Sequence, residues 1–119
     1  MTDFLAAAVQ LTSTSQPEVN FACAEEQIEL AARRGADLIG LPENFAFMGD
    51  DEKRLEISSS LSEQCSKFLV TMARRYQVVL LGGGFPVPSE DGLKTLNRAE
   101  LVGKDGQLLA RYDKIHLFD

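Results

Sequence analysis

Three short apolar runs separated by two amphipathic segments restrict this chain more than any other feature of its sequence. The runs cover residues 4–11, 37–41 and 78–81, and their length is typical of buried strands rather than helices. Between them, residues 17–34 and 60–76 repeat apolar side chains at helical spacing. Strands that alternate with helices pair in parallel, because each helix returns the chain to the same end of the sheet. The sequence therefore predicts a βαβαβ arrangement of the α/β class.

Local signals predict where the two helices begin and end. Pro17 suits the first position of a helix, and Gly35 suits the position just after its end. Ser60 and Glu63 have the spacing of a capping box, which predicts that the second helix begins there and ends near Tyr76.

The segment before this capping box, residues 42–54, is then predicted to be a loop. It contains Phe45, Phe47 and Met48. Such side chains are poorly suited to solvent, so we expect the loop to pack around something.

The last third of the chain predicts a β-hairpin. The segment Gly103-Lys-Asp-Gly106 separates residues 97–102 from residues 108–112, a pattern typical of two antiparallel strands joined by a tight turn. The predicted sheet is therefore mixed, with the helices on one face. The three glycines 82–84 match neither glycine-rich phosphate-binding pattern, and they are interpreted as a site of close backbone packing or a bend.

Composition and charge limit the partners of the chain. Its 119 residues correspond to one domain or part of one. The net charge of −6 and the scattered basic residues disfavour nucleic acid and membranes as partners. Cys23 and Cys65 lie far apart without metal-ligand spacing, so they are interpreted as core residues of a cytoplasmic protein. The first residues lack the features of a signal peptide.

Two charged residues lie where chemistry is expected. Glu43 follows the second strand, and ligands of such sheets bind at the carboxyl ends of strands. Taken alone, Glu43 is more simply a solvated turn carboxylate, but Phe45 and Phe47 could desolvate it into a general base. Lys114 is either a solvated strand-end lysine or a cation directed at a developing oxyanion. His116, the single histidine, is interpreted as structural.

In this order, the segments resemble the nitrilase superfamily of carbon–nitrogen hydrolases. The resemblance covers nearly the whole chain and is most specific in Leu-Pro-Glu43 and in Lys114-Ile-His-Leu-Phe. Similarity at residues 8–12, 82–85 and 96–97 accompanies these two motifs. It implies an α-β-β-α sandwich in which Glu43 is the general base and Lys114 stabilises the oxyanion. The family's cysteine nucleophile lies further along the chain than Asp119, so neither Cys23 nor Cys65 is given that role.

Within the superfamily, the chain most resembles the Nit branch, which includes ω-amidases and deaminated-glutathione amidases. The resemblance implies a hydrolase that needs no cofactor and no metal, and a small amide or nitrile substrate, most simply an amide that carries a carboxylate. Residues 1–119 are then the N-terminal portion of the domain and are predicted to be inactive alone. Because half a sandwich leaves sheet surface unsatisfied, we also expect a homo-oligomer or a longer molecule.

Two alternatives remain open at the level of sequence. The chain could be a catalytically inactive, truncated nitrilase-like module with an interaction role. The absence of the nucleophile from these residues is the reason to keep this alternative. It could also be a nucleotide-binding α/β domain, although its glycines fit that function poorly.

Overall fold

The structure, a computed structural model, describes residues 3–114. Five strands and two helices follow one another along the chain: β1 (Ala6–Ala8), α1 (Pro17–Arg33), β2 (Leu38–Gly40), α2 (Asp51–Tyr76), β3 (Val79–Pro88), β4 (Thr95–Val102) and β5 (Leu108–Asp113). The strands form one sheet in the order β1-β2-β3-β4-β5. The first three are parallel, and β3, β4 and β5 are antiparallel to one another. The predicted α/β class and mixed sheet are therefore confirmed.

One face of the sheet packs against helix α2. Ile39, Leu80 and Val102 lie side by side on β2, β3 and β4, and all three are buried. The opposing helix contributes the apolar residues that its sequence spacing predicted, and the buried members of this set are Leu61, Cys65, Leu69 and Met72. Replacing one such leucine with alanine typically costs about 2–5 kcal/mol of folding free energy, so this layer determines much of the stability.

The limits of helix α1 are as predicted, whereas the N-cap of α2 lies ten residues before the predicted one (60 − 50). The N-cap of α2 is Asp50, whose side chain accepts a hydrogen bond of 2.8 Å from the backbone N–H of Lys53. Ser60 lies inside the helix, where its hydroxyl accepts a bond from the Gln64 side chain instead of capping. An N-cap needs extended backbone, and Asp50 has it (φ −73°, ψ 160°), while Ser60 is helical.

The connection between β2 and α2 packs into the core, as its aromatic residues predicted. Phe45 and Phe47 are fully buried, and the Phe45 ring lies against Phe68 and Phe85. Met48 is about half exposed, so the two phenylalanines account for the packing of this loop.

Two strands differ in length from the sequence prediction. The N-terminal apolar run forms a strand over only Ala6–Ala8, because only this part pairs with β2. Strand β3 continues through the glycines to Pro88, and its pairing with β4 shifts register between Gly82 and Phe85. This irregularity is the bend that the glycine run predicted.

The second face of the sheet is apolar and is not covered by either helix. Side chains alternate between the two faces of a strand, so Leu81 points away from the face that carries Leu80. Leu81 is partly exposed, and Leu101, Ala110 and Tyr112 lie on the same side of β4 and β5.

Across residues 3–114, neither helix has an apolar stretch sufficient to cross a lipid bilayer.

Candidate active site

Glu43 lies just beyond the carboxyl end of β2, where two backbone hydrogen bonds to β3 hold the chain on either side of it. The N–H of Leu41 donates to the carbonyl of Leu81 at 2.8 Å, and the N–H of Asn44 donates to the carbonyl of Gly84 at 2.9 Å. Asn44 adopts a left-handed conformation (φ 61°), which asparagine tolerates better than most residues. The carboxylate is therefore presented from a short turn anchored to its neighbouring strand.

The glycines of β3 allow this close approach. A Cβ atom on Gly83 would lie 1.9 Å from the carbonyl oxygen of Leu41. Gly84 has a φ of +127°, and a Cβ there would lie 2.5 Å from Oδ1 of Asn97 and 3.2 Å from Cγ of Glu43. The interpretation of these glycines as a site of close backbone packing is confirmed.

Lys114 follows the last residue of β5 and meets Glu43 from the other side of β4. Its backbone N–H donates to the carbonyl of Asn97 at 2.8 Å, which continues the β4–β5 ladder by one residue. Its Nζ lies 3.8 Å from Oε1 of Glu43. The structure thus brings together the two residues that the sequence singled out.

Asn97 links these two residues and was not identified as a functional residue from the sequence. Its Nδ2 donates a hydrogen bond of 2.5 Å to Oε1 of Glu43, 54 positions earlier in the chain. One residue therefore holds the Glu43 carboxylate with its side chain and the Lys114 backbone with its carbonyl. The one local signal was an asparagine in a strand, where this residue type is disfavoured.

Among residues 3–114, the Glu43 carboxylate is anchored through Oε1. Both of its side-chain contacts involve this oxygen, and Oε2 has no protein partner in that range. The Glu43 side chain is 49% exposed and that of Lys114 is 39% exposed. Ion pairs at such exposure contribute about 0–1 kcal/mol, so stability alone does not account for the arrangement. Phe45 and Phe47 turn into the core, and the expected desolvation of Glu43 by them is not observed.

A second ion pair fixes the end of β5 immediately before Lys114. The guanidinium of Arg98 donates two hydrogen bonds, of 2.7 and 3.1 Å, to the carboxylate of Asp113. These bonds lower the pKa of Asp113, and the carboxylate in turn raises the pKa of Arg98. Because β5 and β4 are joined side chain to side chain at this point, the pair helps to fix where Lys114 leaves the sheet.

A cavity of about 210 Å³ opens beside these residues. It is smaller than the roughly 300–1,000 Å³ that is usual for drug-sized ligands, so it suits a small molecule. Its polar lining residues are Glu43, Asn44, Asp51, Arg54, Thr95, Asn97 and Lys114. The cavity is therefore lined by a carboxylate and an ammonium group that lie 3.8 Å apart.

The two cysteines do not line this cavity. Cys65 is buried, as predicted, and its burial, together with the charge of Glu100, raises the pKa of its thiol. Cys23 is exposed, so its interpretation as a core residue is wrong; it lies on the solvent side of α1. His116 and the rest of segment 115–119 lie outside the described residues.

Comparison with known sequences gives a consistent set of relatives. Residues 5–119 match the family model described as carbon-nitrogen hydrolase. The chain is 50% identical over 120 residues to a deaminated glutathione amidase of Synechocystis sp., covering all of this chain and 44% of that protein. It is 35% identical over 119 residues to the human omega-amidase NIT2, covering all of this chain and 42% of that protein. The chain thus spans less than half the length of these relatives.

The fold also matches solved structures. The crystal structure of the C. elegans NitFhit protein superimposes with a TM-score of 0.87 and 28% sequence identity, over 96% of this chain and 28% of that one. The fold of the described chain is therefore shared with part of that protein.

Proposed function

Because this chain belongs to the carbon–nitrogen hydrolase family, we propose that its protein is an amidase in which Glu43 and Lys114 are catalytic. The observation that carries the proposal is the distance of 3.8 Å between Nζ of Lys114 and Oε1 of Glu43, at the edge of one small cavity. A base and a fixed cation at this separation can act on the same reacting group.

The first half of the proposed reaction makes a thioester. Glu43 accepts the proton of a cysteine thiol through its open oxygen, Oε2, and the thiolate attacks the amide carbonyl carbon. The carbonyl π electrons move onto oxygen, where the Lys114 ammonium stabilises the negative charge. The intermediate collapses, the carbon–nitrogen bond breaks, and the leaving nitrogen takes the proton back from Glu43 and departs as ammonia.

The second half hydrolyses the thioester. Glu43, again a carboxylate, removes a proton from a water molecule that attacks the thioester carbon, and Lys114 again faces the oxyanion. The carbon–sulfur bond breaks, and the proton held by Glu43 returns to sulfur while the carboxylic acid leaves. The division of one difficult hydrolysis into two easier steps is the physical reason for a nucleophile, a base and an oxyanion partner in one site.

The cysteine nucleophile is proposed to lie in a part of the protein outside these 119 residues. Cys65 is excluded by its burial, and neither it nor Cys23 lines the cavity. The isolated chain is accordingly proposed to be inactive. The substrate is proposed to be a small amide that carries a carboxylate, such as a dicarboxylic acid monoamide or deaminated glutathione, because the amidases named above act within this range.

We propose that residues 1–119 are the N-terminal portion of one hydrolase domain. The uncovered apolar face, which includes Leu81 and Tyr112, supports this, because an exposed face of that kind normally packs against another layer. The two free cysteines are compatible with a reducing compartment, and we place the protein in the cytoplasm. A homo-oligomer stays a prediction that light scattering of the full-length protein can test.

The proposed catalytic roles predict large losses of activity from two substitutions. In the full-length protein, Glu43→Gln and Lys114→Ala should each lower the rate of ammonia release from a monoamide by about 10²-fold or more. Glu63→Gln and Lys104→Ala are matched controls, because both residues are exposed and lie outside the cavity.

The same assay separates the amidase from an inactive module. Wild-type protein that releases no ammonia from any of a panel of carboxylate-bearing amides would favour the interaction role. An active wild type with a near-normal Glu43→Gln variant would instead remove Glu43 from the mechanism while leaving the amidase activity in place.

A further inference from the structure

Arg54 is a cation in the cavity wall that the proposed chemistry does not use. It lies in the first turn of α2, and its side chain is only 17% exposed. The first turn of a helix is where the helix dipole disfavours a positive charge. The position of this guanidinium is therefore not explained by the stability of α2.

Two contacts hold the guanidinium in one orientation. Its Nη1 donates a hydrogen bond of 2.9 Å to Oδ1 of Asn44, and its central carbon lies 5.6 Å from the centre of the buried Phe47 ring. Both partners come from the short connection that carries Glu43. Asn44 directly follows Glu43, so this contact ties the guanidinium to the turn that carries the proposed base.

The positive charge of Arg54 is only weakly balanced. Its nearest carboxylate is that of Asp51, at 4.0 Å from Nε, and the Asp51 side chain is fully exposed to solvent. Such a pair is screened by water and contributes little. In the described part of the chain, Nη2 has no protein partner, and the residue lines the cavity shared by Glu43 and Lys114. A guanidinium with open donors is suited to an incoming carboxylate, which it can bind through two parallel hydrogen bonds.

We propose that Arg54 is an anion subsite that binds the carboxylate of the substrate, at a distance from the amide being cleaved. This inference rests on the proposed function and adds the residue that selects acidic amides over neutral ones. Glu43 and Lys114 act on the amide end, while Arg54 holds the acidic end. Arg54 is thus a specificity residue, and its loss affects binding of one class of substrate rather than the chemical step.

The test compares two substrates of equal length in the full-length protein: a dicarboxylic acid monoamide and the amide of the corresponding monocarboxylic acid. Arg54→Met should lower kcat/KM for the acidic amide by about 10- to 100-fold, mainly through KM, and should leave kcat/KM for the neutral amide within about twofold. Arg54→Lys, which keeps the charge but loses the paired donors, should give an intermediate loss for the acidic amide alone. Arg33→Met, an exposed guanidinium on α1, is the matched control.

Each outcome has a distinct meaning. An equal loss for both substrates would show that Arg54 only supports the turn around Asn44, and unchanged kinetics for both would show that no anion binds there; either result overturns the subsite and leaves the amidase proposal intact. If wild type hydrolyses neither amide, the proposed function itself fails. Thermal unfolding checks that Arg54→Met is folded, and if it is not, the Arg54→Lys comparison decides between the same outcomes.

Discussion

Replacing Gly84 with alanine should show how much the hydrogen bond between Asn97 and Glu43 contributes to the rate, as distinct from the stability of the sheet. Gly84 lies in β3 at the register shift, with a φ of +127°. An added Cβ would lie 2.5 Å from Oδ1 of Asn97 and 3.2 Å from Cγ of Glu43. Since real Cβ atoms do not approach that closely, the Asn97 amide must move, and its hydrogen bond to Glu43 is lost or lengthened.

This geometry has two effects, one on stability and one on rate. The backbone conformation costs an alanine about 1–3 kcal/mol, which appears as lost stability. A hydrogen bond to a charged group is worth about 1.5–3 kcal/mol. If that bond orients the Glu43 carboxylate throughout the reaction, its loss corresponds to about a 10- to 150-fold decrease in kcat/KM.

A second glycine is the control for the backbone strain alone. Gly92, in the turn after β3, has a φ of +74° and open space around its Cβ position. Gly92→Ala should therefore lose stability, as Gly84→Ala does, and keep the wild-type rate.

The assay combines thermal unfolding with steady-state ammonia release by the full-length protein. For a protein of 150–250 residues, about 1 kcal/mol lowers Tm by roughly 2–4 °C, so the strain is measurable in both glycine variants with positive φ. If Gly84→Ala loses stability to the same extent as Gly92→Ala and retains the wild-type kcat/KM, the contact between Asn97 and Glu43 is not needed for catalysis.

Three further predictions concern the fold around the site. Asp50→Ala should cost about 1 kcal/mol of unfolding free energy by denaturant titration, whereas Ser60→Ala should cost little; a larger effect at Ser60 would restore the later helix start. A maleimide reagent should label Cys23 rapidly and Cys65 only on unfolding, because burial raises the pKa of the Cys65 thiol, and equal rates by peptide mass spectrometry would contradict this. The lowered pKa of Asp113 adds stability that is present above the unfolded pKa of about 3.9 and is lost as pH falls through the folded pKa. Asp113→Asn should therefore flatten the dependence of the unfolding free energy on pH below about pH 4. A pH dependence parallel to that of the wild type would exclude this contribution of Asp113.

The parts of the fold that were predictable depend on neighbours in sequence. Helix α1 was located by a proline at its start and a glycine after its end, and the hairpin by the turn chemistry of residues 103–106. The start of α2 was not, since the capping-box pattern at Ser60 predicted a later start than the Asp50 cap of the structure. Which of them acts depends on where the connection carrying Phe45 enters the core, and no local pattern contains that information.

The sequence by itself determined the order of strands and helices and the position of Glu43 at the end of a strand, because hydrophobic periodicity and turn chemistry are local. Only the tertiary structure decided which side chains meet at that carboxylate. Asn97 and Lys114 reach it because of a register shift in β3 and one extra rung between β4 and β5, and Arg54 reaches the same cavity because α2 begins early. A shift of one residue in strand pairing would turn these side chains to the other face, so contacts over 54 positions are a property of the packed sheet.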